Sequence, residues 1–82
     1  MNSSAVLKFR HPPRAVGVSC DDEMLQVQLS DGREIRVPLA YFPRLRDATP
    51  EARAKCRIIG NGVGIHWEAL DEDLSVAGLL AA

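Results

Sequence analysis

The stretch from Gly60 to Trp67 constrains the fold more than any other part of the chain. It sets three glycines around Asn61, and its apolar residues Val63, Ile65 and Trp67 occupy alternate positions. Glycine and asparagine tolerate the positive φ angles of tight turns, and alternation of apolar residues is typical of a strand with one buried face. The stretch therefore predicts a hairpin in which residues 63–67 pair with the preceding Ile58 and Ile59.

A second hairpin is predicted around Asp31 and Gly32. Leu25, Val27 and Leu29 alternate with glutamines, which indicates a strand with its apolar side inward. A two-residue loop would set apolar residues of one strand opposite charged residues of the other, such as Val27 opposite Arg36. A loop over residues 30–32, with Gly32 left-handed, instead sets Val27 opposite Ile35 and Leu25 opposite Val37. We therefore expect the longer loop.

Further elements are indicated before and between these hairpins. Alternating Val16, Val18 and Cys20 predict a strand that ends at the charges of residues 21–23. The apolar turn after Pro38 is expected to lay Tyr41 and Phe42 across one end of the sheet.

Two short helices are indicated by their first residues. Thr49 is a suitable N-cap and Pro50 a suitable first helical residue for a helix that continues to about Lys55. Ser75 is expected to cap a last helix through Leu79 and Leu80.

These elements predict one α+β domain over residues 1–82, with an extended N-terminal arm at 1–13 and a core at 14–80. We expect an antiparallel sheet of about five short strands, two hairpins and two short helices. A chain of 82 residues can form a single core but no separate substrate-binding domain.

Composition and spacing disfavour several classes of protein. The apolar runs are far shorter than a membrane span, so we expect a cytoplasmic protein without membrane contact. Cys20 and Cys56 are interpreted as small core residues rather than a disulfide pair. His11, the two thiols and His66 are scattered singly, so we expect neither a metal site nor a cofactor.

Charge is distributed unevenly along the chain, although the net charge is only −1. Residues 33–57 carry seven basic and three acidic side chains, whereas residues 58–82 carry four acids and no lysine or arginine. The basic span is either one end of a solvated surface or a patch that binds a partner. Arg44 and Arg46 are its candidate binding residues.

His66 lies between Ile65 and Trp67, so in a strand it faces away from the side that those two residues occupy. An imidazole paired with Asp71 or Asp73 could act as a general base, but no nucleophile motif accompanies it. We therefore expect no enzymatic activity. Trp67 fits either the edge of the core or a binding hot spot.

Several motifs of the chain resemble one bacterial family. They are Leu29-Ser30-Asp31-Gly32-Arg33 to Pro38-Leu39, Phe42-Pro43-Arg44-Leu45, Ala48-Thr49-Pro50-Glu51, and Gly64-Ile65-His66-Trp67 to Leu70-Asp71-Glu72-Asp73-Leu74-Ser75-Val76 with Leu79-Leu80. The sequence is similar to the domain-of-unknown-function family 2442. The resemblance implies a small α+β domain with no established activity. It also implies an antitoxin-like or regulatory role, since family members occur ahead of a helix-turn-helix domain or beside a putative toxin gene.

The function expected from residues and resemblance together is that of a non-catalytic binding module. Its partner is expected to be another bacterial protein, such as a neighbouring toxin, and a homo-oligomer is compatible with the sequence. The alternative is a regulatory module that binds a nucleic acid or a small ligand. The candidate binding residues are Arg44, Arg46, His66, Trp67, Asp71 and Asp73.

Overall fold

The computed structural model of the chain describes residues 12–81, which form six strands in two sheets and three short α-helices. The first sheet contains β1 (Ala15–Cys20), β2 (Met24–Leu29) and β3 (Glu34–Pro38). The second contains β4 (Arg57–Ile59), β5 (Gly64–Trp67) and β6 (Glu72–Ser75). The helices are α1 (Pro43–Arg46), α2 (Pro50–Ala54) and α3 (Val76–Ala81). The α+β class is confirmed; of the predicted arm, residues 1–11 lie outside the described part.

The first hairpin has the predicted register. Val27 lies opposite Ile35 and Leu25 opposite Val37, and Gly32 has a φ of 91°. Leu25 and Val27 have no exposed surface and Leu29 very little, so β2 supplies the centre of the core. A left-handed glycine thus places Leu25, Val27, Ile35 and Val37 on one face, whereas Met24, opposite Pro38, lies on the other.

β1 departs from simple alternation because it contains a bulge. Val18 and Cys20 face β2 on the core side, but Ala15 rather than Val16 lies opposite Leu29. Val16 is the extra residue of the bulge and is 62% exposed. The prediction that it faces the same side as Val18 and Cys20 was therefore wrong.

The segment after β3 packs differently from the prediction. Leu39, in a 3₁₀ turn, and Leu45, in α1, are buried in the core, and Phe42 is partly buried. Tyr41 is 64% exposed, so only Phe42 covers the core. The prediction for Tyr41 was wrong because the tight 3₁₀ turn buries Leu39 and leaves Tyr41 on its outer side.

Both predicted helix starts are confirmed. The hydroxyl of Thr49 accepts a hydrogen bond from the backbone N–H of Ala52, and Pro50 is the first residue of α2. The hydroxyl of Ser75 accepts one from the N–H of Gly78 in the first turn of α3. Each cap satisfies a donor that the helix itself leaves without a partner.

The second sheet contains the predicted hairpin and one strand more. β4 and β5 pair through a tight turn at residues 60–62, and Val63 falls outside β5 and is exposed. The unpredicted strand is β6, in which Glu72 and Asp73 pair with Trp67 and His66. The acidic run at residues 71–73 shows no alternation of apolar residues, so the sequence predicted about five strands rather than six.

The buried apolar residues of both sheets and of the helices form one core. They are Ala15, Leu25, Val27, Leu29, Val37, Leu39, Leu45, Ile65, Trp67, Val76 and Leu79. No helix within residues 12–81 has the length and apolar character needed to cross a bilayer.

Candidate functional site

The outer face of the second sheet carries a row of three polar side chains. His66 in β5 lies opposite Arg57 in β4 and opposite Asp73 in β6. Directly opposed residues of antiparallel strands point to the same side of a sheet, so these three side chains share the face opposite the core. We call Arg57, His66 and Asp73 the polar row.

His66 is held in place within the polar row. Its Nδ1 lies 2.6 Å from a carboxylate oxygen of Asp73, and its side chain is only 19% exposed. The carboxylate fixes the orientation of the ring and leaves Nε2 as the nitrogen that is available to another group. Of the two acids predicted as partners of His66, the structure selects Asp73.

An open groove of about 420 Å³ lies beside His66. Its walls come from the residues between α2 and β4, from β4 and β5, and from the 3₁₀ turn after β5. They consist of Lys55, Cys56, Arg57, His66, Glu68 and Ala69. Within the described residues, the side chains of Lys55 and Arg57 form no hydrogen bond or ion pair with a protein group. Two cations are therefore available at the groove.

Cys56 lines the groove but is poorly placed for nucleophilic chemistry. It packs partly against the hydrophobic core, and burial raises the pKa of its thiol, which keeps the thiol protonated. No hydrogen bond joins it to His66 in the described part of the chain. Burial also raises the pKa of the other thiol, Cys20, to about 11. The groove thus has an oriented imidazole without an activated nucleophile beside it.

Metal ligands do not converge in the part of the chain that the structure describes. No group of three or more histidine, cysteine, aspartate or glutamate side chains has a geometry that could hold an ion. His66 and Asp73 bond to each other and are joined by no third ligand of these types. The groove instead presents two cations, the imidazole of His66 and the carboxylate of Glu68.

Arg44 and Asp71 are brought together through the backbone. The guanidinium of Arg44 donates to the carbonyl oxygen of Asp71 at 2.7 Å, and Asp71 adopts a left-handed conformation with a φ of 49°. This bond ties α1 to the turn that precedes β6. Arg44 thus supports the strand that supplies Asp73.

Arg46 is separate from this arrangement. It forms an exposed ion pair with its neighbour Asp47, and the hydrogen bond from Arg46 holds the pKa of Asp47 below its usual range. Arg33 is paired in the same way with Asp31. Several charges of the basic span are thus locally neutralised.

Trp67 was a candidate binding residue, and its placement excludes that role. It has no exposed surface, and its indole N–H donates to the carbonyl oxygen of Arg53 at 2.9 Å. The hot-spot alternative for Trp67 was therefore wrong, because alternation along β5 places it inward with Ile65.

Arg53 has a structural role, although in the sequence it is only one of the seven basic side chains of residues 33–57. It is buried, and its guanidinium donates to the carbonyl oxygens of Leu45, Arg46 and Ala48 and to the carboxylate of Asp22. The acceptors converge only after the chain turns between α1 and α2. Residue spacing therefore gave no signal for this role.

Comparisons with known proteins agree with this architecture. The family described as "Protein of unknown function (DUF2442)" matches residues 15–82. A crystal structure of a protein of unknown function from Rhodospirillum rubrum is 34% identical, with a TM-score of 0.78, over 87% of this chain and 88% of that one. An uncharacterized protein from Chromobacterium violaceum, solved by NMR, is 25% identical, with a TM-score of 0.73, over 96% of this chain and 73% of that one. No curated protein matches.

Proposed function

We propose that this chain, which belongs to the family of proteins of unknown function DUF2442, is a non-catalytic module that binds another protein at the groove beside His66. The observation that carries the proposal is the pair of cations at that groove. Lys55 and Arg57 lack partners among the described residues, next to an imidazole that Asp73 holds in place.

The chemistry of the groove favours an acidic segment of the partner. Ammonium and guanidinium groups form their strongest hydrogen bonds with carboxylates, and such charged pairs accelerate association and fix its orientation. Glu68, which also lines the groove, would repel an acidic segment that entered in the wrong orientation. The two cations and Glu68 together would thus favour one orientation of the partner segment.

A nucleic-acid ligand has weaker support. Of the arginines that made residues 33–57 basic, Arg33 and Arg46 are paired with neighbouring acids and Arg53 is buried. The only tryptophan is buried as well, so it cannot stack on a base.

Catalysis also has weaker support than binding. The imidazole is oriented, but the thiol of Cys56 is kept protonated by burial and is not bonded to it. A general base defines a reaction only together with a nucleophile or another group from which it removes a proton.

The test is co-expression of the chain with the products of its neighbouring genes, followed by size-exclusion chromatography. We expect one product to co-elute with the chain, and the double variant Lys55→Glu/Arg57→Glu to separate the two proteins. Arg33→Glu is the matched control, because Arg33 is exposed, lies between β2 and β3 of the first sheet and does not line the groove. It should leave the complex intact. Failure of every neighbour to co-elute, or a complex that survives the double reversal, would contradict the proposal.

Two further measurements distinguish a nucleic-acid partner from a protein partner and a toxin from other proteins. A nucleic acid held through many phosphate contacts should lose about 10³-fold or more in affinity between about 50 and 200 mM salt, whereas two cations paired with an acidic protein segment should lose much less. If the partner is a toxin, as the antitoxin-like form of the proposal requires, co-expression should also relieve the growth arrest that the toxin causes alone. The double variant should then fail to relieve it.

A further inference from the structure

The free edge of β3 has the hydrogen-bonding pattern and the charges to pair with itself. Of the four sheet edges, those of β1 and β4 contact each other, so they are not free. The edge strand β6 carries the two acids Glu72 and Asp73 and no base, which would repel in a symmetric pair. Among the described residues, β3 is the remaining edge without a neighbouring strand. α3 contacts β3, but Glu34, Arg36 and Pro38 are exposed.

The direction of the backbone groups of β3 follows from its ladder with β2. The N–H of Leu29 donates to the carbonyl of Arg33, and the N–H of Leu39 donates to the carbonyl of Glu23. Hydrogen-bonded pairs alternate along an antiparallel ladder, so Ile35 and Val37 also direct their backbone groups toward β2. Glu34 and Arg36 therefore direct their N–H and C=O groups away from the sheet, toward the free edge.

A second copy of the chain satisfies these groups in one register. When β3 pairs antiparallel with the same strand of a second copy, with Ile35 on the twofold axis, Glu34 lies opposite Arg36 of the other copy. Both outward-directed residues then form complete hydrogen-bonded pairs. Each glutamate also lies directly opposite an arginine, twice by symmetry.

The neighbouring registers are less favourable. Centring the pair on Arg36 sets two arginines against each other and places Glu34 opposite Pro38, which has no N–H to donate. Centring it on Glu34 opposes two glutamates. Charge and backbone geometry thus select the same register.

The side chains beside this edge suit the same occupant. A groove of about 310 Å³ follows β3, and its walls include Tyr41, Leu79 and Leu80. Tyr41 is 64% and Leu80 40% exposed. In the selected register, the Ile35 side chain of the second copy lies on the core face of the extended sheet and thus adjoins this apolar groove.

We propose that the protein forms a symmetric dimer through antiparallel pairing of β3 with β3, with reciprocal Glu34–Arg36 pairs across the twofold axis. The two copies then share a continuous six-stranded sheet. This interface lies on the first sheet, whereas the groove beside His66 lies on the second. The failure of one proposal therefore does not contradict the other.

The test is sedimentation velocity of the intact chain over a range of concentrations, with charge reversals at the two positions. We expect a monomer–dimer equilibrium for the natural sequence and at least about a tenfold weaker dimer for Glu34→Arg or Arg36→Glu. The double variant Glu34→Arg/Arg36→Glu should restore the dimer, because opposite charges again face each other. Arg33→Glu is the control, since it changes the charge of the turn but not of the ladder.

A mixture of the two single variants provides the most selective outcome. One chain then has arginine at both positions and the other glutamate at both, so the selected register predicts a heterodimer. Circular dichroism of each variant establishes that it is folded. A natural sequence that stays monomeric up to about 1 mM, or a dimer that is indifferent to both single reversals, would overturn the proposal.

Discussion

The two sheets of the domain have similar inner faces and different outer faces. Both are three-stranded and antiparallel, and both place apolar side chains in the same core. The outer face of the first sheet carries Ser19 and two glutamines across β1 and β2, with charged Glu34 and Arg36 only on its edge strand β3. The outer face of the second carries the charged row of Arg57, His66 and Asp73.

The difference between the faces shows which side chains the fold needs: those of the inner faces, and not those of the charged row. Burial of the inner faces accounts for the stability of both sheets. A solvent-facing row of titratable side chains on a short sheet adds little to that stability, since exposed ion pairs contribute about 0–1 kcal/mol. The proposed partner groove lies at the second sheet, whereas the proposed dimer uses the edge strand β3 of the first sheet.

The largest effect is expected at Arg53, which joins the two sheets. Its backbone carbonyl accepts from Trp67 of the second sheet, and its side chain reaches Asp22 in the turn between β1 and β2. Arg53→Ala should lower the free energy of unfolding by about 2–4 kcal/mol, because buried carbonyl groups lose their donor. Urea unfolding followed by tryptophan fluorescence measures this loss.

The control for Arg53 is its exposed partner. The side chain of Asp22 is 87% exposed, so Asp22→Ala should cost less than about 1 kcal/mol. Equal losses for the two variants would mean that the ion pair, rather than the carbonyl contacts, holds the sheets together.

An intermediate effect is expected from the turns of the two hairpins. Gly32 and Gly62 both have positive φ, but a Cβ at Gly32 would meet nothing within 4 Å, whereas one at Gly62 would lie 2.6 Å from the Cβ of Arg14. Gly32→Ala should therefore cost about 1 kcal/mol, from backbone strain alone. Gly62→Ala should cost at least about 2 kcal/mol, from strain and displacement of the chain beside β1.

Thermal unfolding of the two variants side by side measures that difference. The same loss at both positions would show that the second hairpin can move away from β1 freely. The two sheets would then be less tightly coupled than the contact at Gly62 indicates.

The smallest effect is the dependence of stability on pH at Asp21. Backbone N–H groups of Glu23 and Met24 donate to its carboxylate and hold its pKa below the usual range. A carboxyl group with a lowered folded-state pKa stabilises the fold above its ordinary pKa, and the contribution disappears as the pH falls through the folded-state value. Asp21→Ala should therefore be less stable than the natural sequence at neutral pH.

The difference between Asp21→Ala and the natural sequence should shrink as the pH is lowered through the acidic range. Denaturant unfolding at a series of pH values measures it. A difference that is constant with pH would show that the turn depends on the shape of the side chain and not on its charge.

Much of the first sheet could be predicted from the sequence because its signals are local. Alternation along β2 and a glycine in the loop define a register that places Val27 opposite Ile35 and Leu25 opposite Val37 on the core face. The helix starts at Thr49 and Ser75 depend on one side chain and a donor three residues later, which is also local information.

The features that escaped prediction depend on contacts between distant residues. β6 has charged residues where a strand usually has apolar ones, and it becomes a strand because β5 provides a partner ladder. Arg53 is buried because carbonyl groups from a different turn surround it. At the candidate site, the outward direction of His66 followed from alternation, but the choice of Asp73 over Asp71 required the register of β6.

The bulge in β1 affects how relatives of this domain should be aligned. Ala15 faces the core and Val16 faces solvent, although the alternation of the following residues would place them the other way round. A relative that lacks one residue here would keep the same core residues, and its apolar residues would alternate along the strand without interruption. An alignment without a gap at this position would then match interior positions of one protein with surface positions of the other.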